Sequence, residues 1–381
     1  MKISRTSRAL VLAFGITASA SVMAEITVGV SVSVTGPGAA LGVPYRNTAM
    51  VLPEFIGRER ARYVIIDDSS DPATAVKNTR KLTAEDRVDI IIGSALTPTS
   101  LAMLDTAIES KTAQLVLAPI AIPPAKLTWA FVIPQPVPLM VAGVIEHMKR
   151  AGIKTVGYIG FSDGLGDVIE QVLVAQTDAA GIKVIAKERY ARNDISVQGQ
   201  VIKLVSARPD AIFVGAAGTP GALPHVQLIE RGYKGPIYHN HGDVVGDFIR
   251  VGGKSVEGAI AATGPMMVAE QLADSNPVKK VSVEFNKLYE GKYGADSRNP
   301  FSGYLYDAFL LIQHAAPQAL AKARPGTVEF RTALRDASEA SKEVVGTHGI
   351  YSMSPMDHNG LDARARVMVR VENGAWRRLA Q

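Results

Sequence analysis

Four stretches of this chain carry residue types and spacings that could do chemistry. Gly160-Phe161-Ser162-Asp163-Gly164 has the G-x-S-x-G spacing of a hydrolase nucleophile elbow, in which a strand-to-helix turn exposes the serine hydroxyl for attack on an ester. It follows a strand pattern and precedes a helical one. The apolar helical pattern, however, resumes only after Gly166, which puts Ser162 on a loop, and no HGGG-like segment supplies oxyanion donors. His239-Asn240-His241 could offer a pair of metal-binding imidazoles. If the strand runs through these residues both rings share one face, but no further Cys, His or carboxylate cluster is spaced to complete a site, and no metal is expected. Thr35-Gly36-Pro37-Gly38-Ala39-Ala40-Leu41-Gly42 approaches the dinucleotide fingerprint, yet its third glycine comes one residue late; a tight turn into a helix is the favoured reading, and no cofactor is expected.

The fourth stretch is Ile92-Gly93-Ser94-Ala95-Leu96-Thr97-Pro98-Thr99-Ser100. It leaves an apolar strand and opens a helix, with Thr97 suited to cap it and Pro98 to its first position. Hydroxyls and free backbone N–H groups at such a start favour an anion such as a carboxylate. An ordinary capped helix would read the same way locally.

The elements that must position these residues alternate along the chain. Strand patterns occur at 26–34, 63–67, 89–93, 114–118, 155–160, 183–186, 211–214 and 236–239. Several, such as Ile90-Ile91-Ile92, are apolar on both faces and suit a buried parallel sheet. Helical patterns at 140–150 and 168–180 stop at Gly152 and Gly181, each placed for a left-handed C-terminal cap. Both stops fall in the tetrapeptide Ala-Gly-Ile-Lys, at 151–154 and 180–183, and both lead into a strand. Such alternation gives an open α/β sheet. The prolines from Pro119 to Pro138 interrupt it as a connector. The tail, 364–371 and 376–379 around Asn373-Gly374, reads as a hairpin.

Composition narrows the function classes. Lys2, Arg5 and Arg8, a short apolar run and Val22-Met23-Ala24 read as a signal peptide over residues 1–24, cleaved after about Ala24. Its removal lowers the formal charge from +5 to +2, which argues little for nucleic acid or membrane surfaces as partners. No cysteine is present, so there is neither a disulfide nor a cysteine for a lipid anchor, and stability must come from a core. The remaining length suits two domains.

Taken in order, Ile26-Thr27-Val28-Gly29-Val30, Thr35-Gly36-Pro37, Asp89-Ile90-Ile91-Ile92-Gly93-Ser94, Ala118-Pro119, Ser162-Asp163-Gly164-Leu165-Gly166 and Tyr306-Asp307-Ala308 resemble the leucine/isoleucine/valine-binding type of periplasmic solute receptor, across nearly the whole mature chain. The resemblance implies an α/β fold of two Rossmann-like lobes joined by three crossovers, near 134–140, 262–266 and 346–352, with a ligand cleft between them. The N-terminal lobe is then expected over 25–136 plus 265–348 and the C-terminal lobe over 137–264 plus 349–381. It implies a monomeric, non-enzymatic, periplasmic capture protein that delivers its ligand to the permease and ATPase subunits of an ABC importer.

In such receptors the ligand carboxylate is held by the loop matching Ser94, Ala95, Leu96 and Thr97 and by backbone near Ala121. The opposite lobe contributes the positions matching Leu165, Ala217 and His241. Amino-acid-binding members place a hydroxyl residue at the position of Ile122, an aromatic at Leu165 and an acid near His241 to receive the ligand's ammonium. This chain departs at all three, and a buried ammonium without an anionic partner costs several kcal/mol. A small carboxylate without an α-amino group, an aromatic or 2-oxo acid, is therefore expected over a branched-chain amino acid. Leu41, Tyr45, Phe161, Phe301 and Tyr304 are candidates for the apolar end of the site, or for core. Two rival functions remain open: a sensory receptor of the same fold, and a secreted esterase using Ser162.

Overall fold

The computed structural model describes residues 25–379, so the expected cleavage after Ala24 lies outside the described residues. Its strands are β1 (Glu25–Val32), β2 (Phe55–Ile56), β3 (Glu59–Asp67), β4 (Ile90–Gly93), β5 (Ala113–Val116), β6 (Ala130–Val132), β7 (Thr155–Phe161), β8 (Lys183–Tyr190), β9 (Ala211–Gly215), β10 (Ile237–His239), β11 (Ile260–Thr263), β12 (Val344–Val345), β13 (Ile350–Tyr351), β14 (Val367–Glu372) and β15 (Ala375–Arg378). They form a six-stranded sheet, ordered β2-β3-β1-β4-β5-β6, a seven-stranded sheet, ordered β15-β14-β11-β10-β9-β7-β8, and the small pair β12-β13. The central strands of both large sheets are parallel; β14 joins β11 antiparallel and closes with β15 as the expected hairpin. Central strands such as β4 and β9 are buried throughout, as the doubly apolar runs require.

Local chemistry sets the boundaries. Gly152 and Gly181 adopt φ of 73° and 72° after their helices, where a Cβ would be strained. Gly42 is needed for another reason: a Cβ there would sit 1.9 Å from the Ser33 carbonyl oxygen, so the near-fingerprint is a close helix–strand packing motif. Two expected starts are corrected. Leu96, not Thr97, is the N-cap of the helix Thr97–Glu109, because its extended backbone makes the turn; Thr97 is the first helical residue and Pro98 the second. The helix after β7 begins at Gly164 rather than beyond Gly166, because the Asp163 carboxylate accepts from the N–H groups of Leu165 and Gly166 and caps it earlier than the apolar pattern suggests.

The helices Pro277–Tyr293 and Pro300–Leu320 return to the first sheet's side. Thr48 donates to the Ser302 carbonyl at 3.1 Å, the Tyr293 hydroxyl to the Asn47 carbonyl at 2.9 Å, and Gly326 N–H to Asp89 at 2.7 Å. Residues beyond the small pair stay there too: His358 stacks on Phe131 at 4.2 Å, and Asn359 donates to the carbonyls of Val132 and Pro134, both at 2.8 Å. We therefore propose a lobe division in which the last crossover follows about residue 361 instead of 348. The crossovers meet around one buried cluster. Gln135 approaches His348 at 3.4 Å and donates to the Ala365 carbonyl at 3.0 Å, while a Cβ on Gly264 would lie 1.9 Å from the His348 ring. Asp307 pins the 347–351 segment by accepting from the N–H groups of Thr347 (2.5 Å) and His348 (3.0 Å) and from the Tyr351 hydroxyl (3.0 Å). Burial, opposed by these donors, raises its pKa to about 6.

Candidate functional site

The strand ends that bear loops face one another across a narrow slot, the usual ligand position in open α/β sheets. One wall is built from Leu41, Ala95, Leu96, Thr97, Leu117, Ala118 and Pro119; the other from Leu165, Arg192, Ala217, Asn240, His241 and Gly242; Pro134, Phe301 and Tyr304 close the hinge end. The lobes touch along this line. A Cβ on Gly218 would meet Leu41 at 2.9 Å, and one on Gly164 would meet Thr97 at 3.4 Å. The space encloses about 360 Å³ if its open mouth is included, but only about 20 Å³ can hold the centre of a water-sized sphere. The second figure decides the point: it is little more than one water needs, so a ligand enters only when the lobes separate.

Of the residues expected at the site, the fold brings together Leu41, Ala95, Leu96, Thr97, Leu165, Ala217, His241 and Tyr304, with Phe301 beside them. Five expected residues do not line the slot. Ser94 is fully buried behind it; its hydroxyl bonds to Asp68 and takes the Thr99 hydroxyl at 2.8 Å and the Ala95 N–H at 2.6 Å. Tyr45 lies behind Phe301 and donates to the Leu117 carbonyl at 2.8 Å. Phe161 is buried beneath Arg192. Ala121 is exposed and Ile122 half-buried on the connector outside the slot. Thr97 does line it, but its hydroxyl proton goes to the Pro119 carbonyl at 3.2 Å. The hydroxyls that suggested anion binding thus brace the loop, while the helix start at Leu96 is left without a side-chain cap.

The strongest donor in the slot is Arg192, which the sequence reading missed. Its guanidinium lies 4.1 Å over the Phe161 ring, and its Nε donates to Asp163 at 2.6 Å. The side chain is only 10% exposed, and neither Nη1 nor Nη2 finds an acceptor among the described residues. Arg192 thus lines the slot as a fixed cation with two buried nitrogens whose N–H groups are still free to donate. The signal was a cation two residues past a parallel strand, but the charged run Lys187-Glu188-Arg189 made that strand look four residues shorter than it is.

The second lobe's loop after β10 is held from behind by a buried polar chain. His239 does not share a face with His241, because the strand ends at His239 and the chain turns. His239 instead meets Asp243 at 3.0 Å and His225 at 2.8 Å, and His225 bonds on to the Ser255 backbone. If the Ser255 carbonyl takes the His225 Nε2–H, then His239 Nε2 donates to His225 Nδ1, and the remaining proton sits on Asp243. Burial acts in the same direction, raising the Asp243 pKa well above the carboxylate range and lowering His225 and His239 to about 2 and 3. Asp243 packs against Gly221 and is not among the residues that line the slot. Among the described residues no three His, Asp or Glu side chains are grouped to hold a metal, and no histidine lines the pocket around Ser162.

Comparison with known proteins agrees with this architecture. The chain is 26% identical to a Leu/Ile/Val-binding protein homolog of Brucella melitensis, over 89% of this chain and 91% of that one. An extracellular ligand-binding receptor from Rhodopseudomonas palustris HaA2 superposes with a TM-score of 0.92 at 46% identity, over 93% of this chain and all of that one. The LivJ substrate-binding protein of Streptococcus pneumoniae, solved with isoleucine, shares the fold at a TM-score of 0.78 but only 17% identity, over 92% of this chain and 97% of that one. A model described as "Periplasmic binding protein" matches residues 25–375, and on that match and this two-sheet fold the chain belongs to the periplasmic binding protein family.

Proposed function

We propose that this protein is the periplasmic, monomeric substrate-binding component of an ABC importer, and that its lobes close on a small carboxylate without an α-ammonium group, an aromatic or 2-oxo acid. The observation that carries this reading is Arg192, a slot residue whose two terminal nitrogens have no acceptor among the described residues, in a slot where Leu41, Leu117, Leu165, Phe301 and Tyr304 supply apolar wall and Thr97, Asn240 and His241 the other polar side chains. A carboxylate matches that fork in charge and geometry. Among the described residues no carboxylate lines the slot: Asp163 bonds to Arg192 and caps a helix, and Asp243 turns to His239. An ammonium there would face a guanidinium and lose its hydration without an anion in return. The relatives named for leucine, isoleucine and valine are too distant to set the ligand by likeness.

Calorimetric titration and thermal shift of residues 25–381 against benzoate, phenylpyruvate and leucine test the reading. Binding of either acid, with leucine inert, is the expected result. A response to leucine alone would overturn it.

A further inference from the structure

His241 is the slot residue whose hydrogen-bonding role is set by its neighbours before any ligand arrives. Asn240 donates its side-chain N–H to the Ala216 carbonyl at 2.8 Å. The reverse amide orientation would set two carbonyl oxygens against each other at that distance, so Asn240 Oδ1 is the atom that faces His241 Nδ1, at 3.0 Å. Oδ1 has lone pairs only, so Nδ1 carries the ring proton. Burial holds the ring neutral by lowering its pKa to about 4. A neutral imidazole has one N–H, which leaves Nε2 a bare acceptor, without a partner among the described residues. The polar chain through His239 and Asp243 fixes the loop, so the ring is not free to choose another role.

We infer that His241 is a specificity-determining acceptor, receiving a hydrogen bond from an uncharged hydroxyl of the ligand whose carboxylate lies on Arg192. The inference rests on the carboxylate reading above and adds the ligand's second polar group. It separates the two acid classes left open there: a hydroxyl-bearing aromatic acid satisfies both ends of the slot, whereas a 2-oxo acid without a hydroxyl brings a second acceptor to an acceptor. A second carboxylate is rejected for the same reason, and a methyl ether has no proton to give.

The test is a titration of the wild-type protein with matched acids: benzoate, 3- and 4-hydroxybenzoate, 4-methoxybenzoate and terephthalate. At least one hydroxybenzoate should bind about 10- to 100-fold more tightly than benzoate, since its absence leaves a buried acceptor unpaired. The ether and the diacid should gain nothing over benzoate. In His241→Leu the preference should fall to about one. The wild-type series stands even if that variant folds poorly. Equal binding of benzoate and both hydroxybenzoates, with all three lost in Arg192→Gln, would overturn the role of His241 and leave the carboxylate reading intact. Binding of leucine with none of the acids would overturn both.

Discussion

Arg192→Gln should weaken binding of the ligand carboxylate by a large factor while leaving the fold in place. In the wild type the Arg192 fork offers two charge-assisted donors in a site with room for little more than one water. Glutamine offers one neutral N–H and no charge. Truncating one partner of a buried, hydrogen-bonded charge pair costs about 2–4 kcal/mol, or roughly 30- to 1,000-fold in Kd. The fold has less at stake. Asp163 keeps the N–H groups of Leu165 and Gly166 when Arg192 is removed, and its side chain is 23% exposed, so it is not stranded. What is lost is a cation over the Phe161 ring, worth about 1 kcal/mol, which lowers the melting temperature by only a few degrees. Lysine keeps the charge but not the planar fork, so Arg192→Lys should fall between the two. Isothermal titration with an aromatic carboxylate, beside a melting curve of each variant, measures both quantities. Binding within threefold of wild type in Arg192→Gln would refute the reasoning and move the carboxylate to the uncapped helix start at Leu96.

Other consequences follow from the hinge and the buried polar groups. Gly264→Ala forces a methyl into the His348 ring and the Gln135 amide, so it should cost about 1–3 kcal/mol in denaturant unfolding and weaken ligand binding as well; an unchanged urea midpoint would show that the crossovers are not packed as described. Asp243→Asn can still donate to His239 and should be tolerated, whereas Asp243→Ala leaves that acceptor bare and should cost about 1–3 kcal/mol; equal damage from both would mean that Asp243 is ionised. His239, His241 and His348 are held to about 3, 4 and 3, below the usual value near 6.5, chiefly by burial. The unfolded chain takes up protons below about 6.5 that these rings refuse, so their contribution is intact at neutral pH and is lost as pH falls, by about 1.4 kcal/mol per unit for each ring. Asp307, raised to about 6, and Asp68, Asp89 and Asp243, which burial also raises, work the other way, each only below its own folded value, against four rings once His225 is counted. The urea midpoint should therefore be lower at pH 5 than at pH 7; a midpoint that stays level or rises would contradict the burial of neutral rings.

How much of this was written in the chain depends on the range of the interaction. The doubly apolar runs at β4 and β9, the glycine stops at 152 and 181, and the Asn373-Gly374 turn are legible because each is a local matter of burial or backbone freedom within a few residues. Order along the chain was enough for the family resemblance and for most of the slot, since residues at the ends of parallel strands collect on one side whatever their type. The use made of each polar group was not legible. Ser94 and Thr97 looked like anion donors until the fold brought Asp68 and the Pro119 carbonyl to them, residues 26 and 22 positions away. Nothing in the sequence singled out Arg192; Phe161 and Asp163, from another strand end, fix it with two nitrogens that have no acceptor among the described residues. A side chain's type states what it can donate or accept; only the packing of distant segments decides which of those bonds are already made, and what is left over is the site.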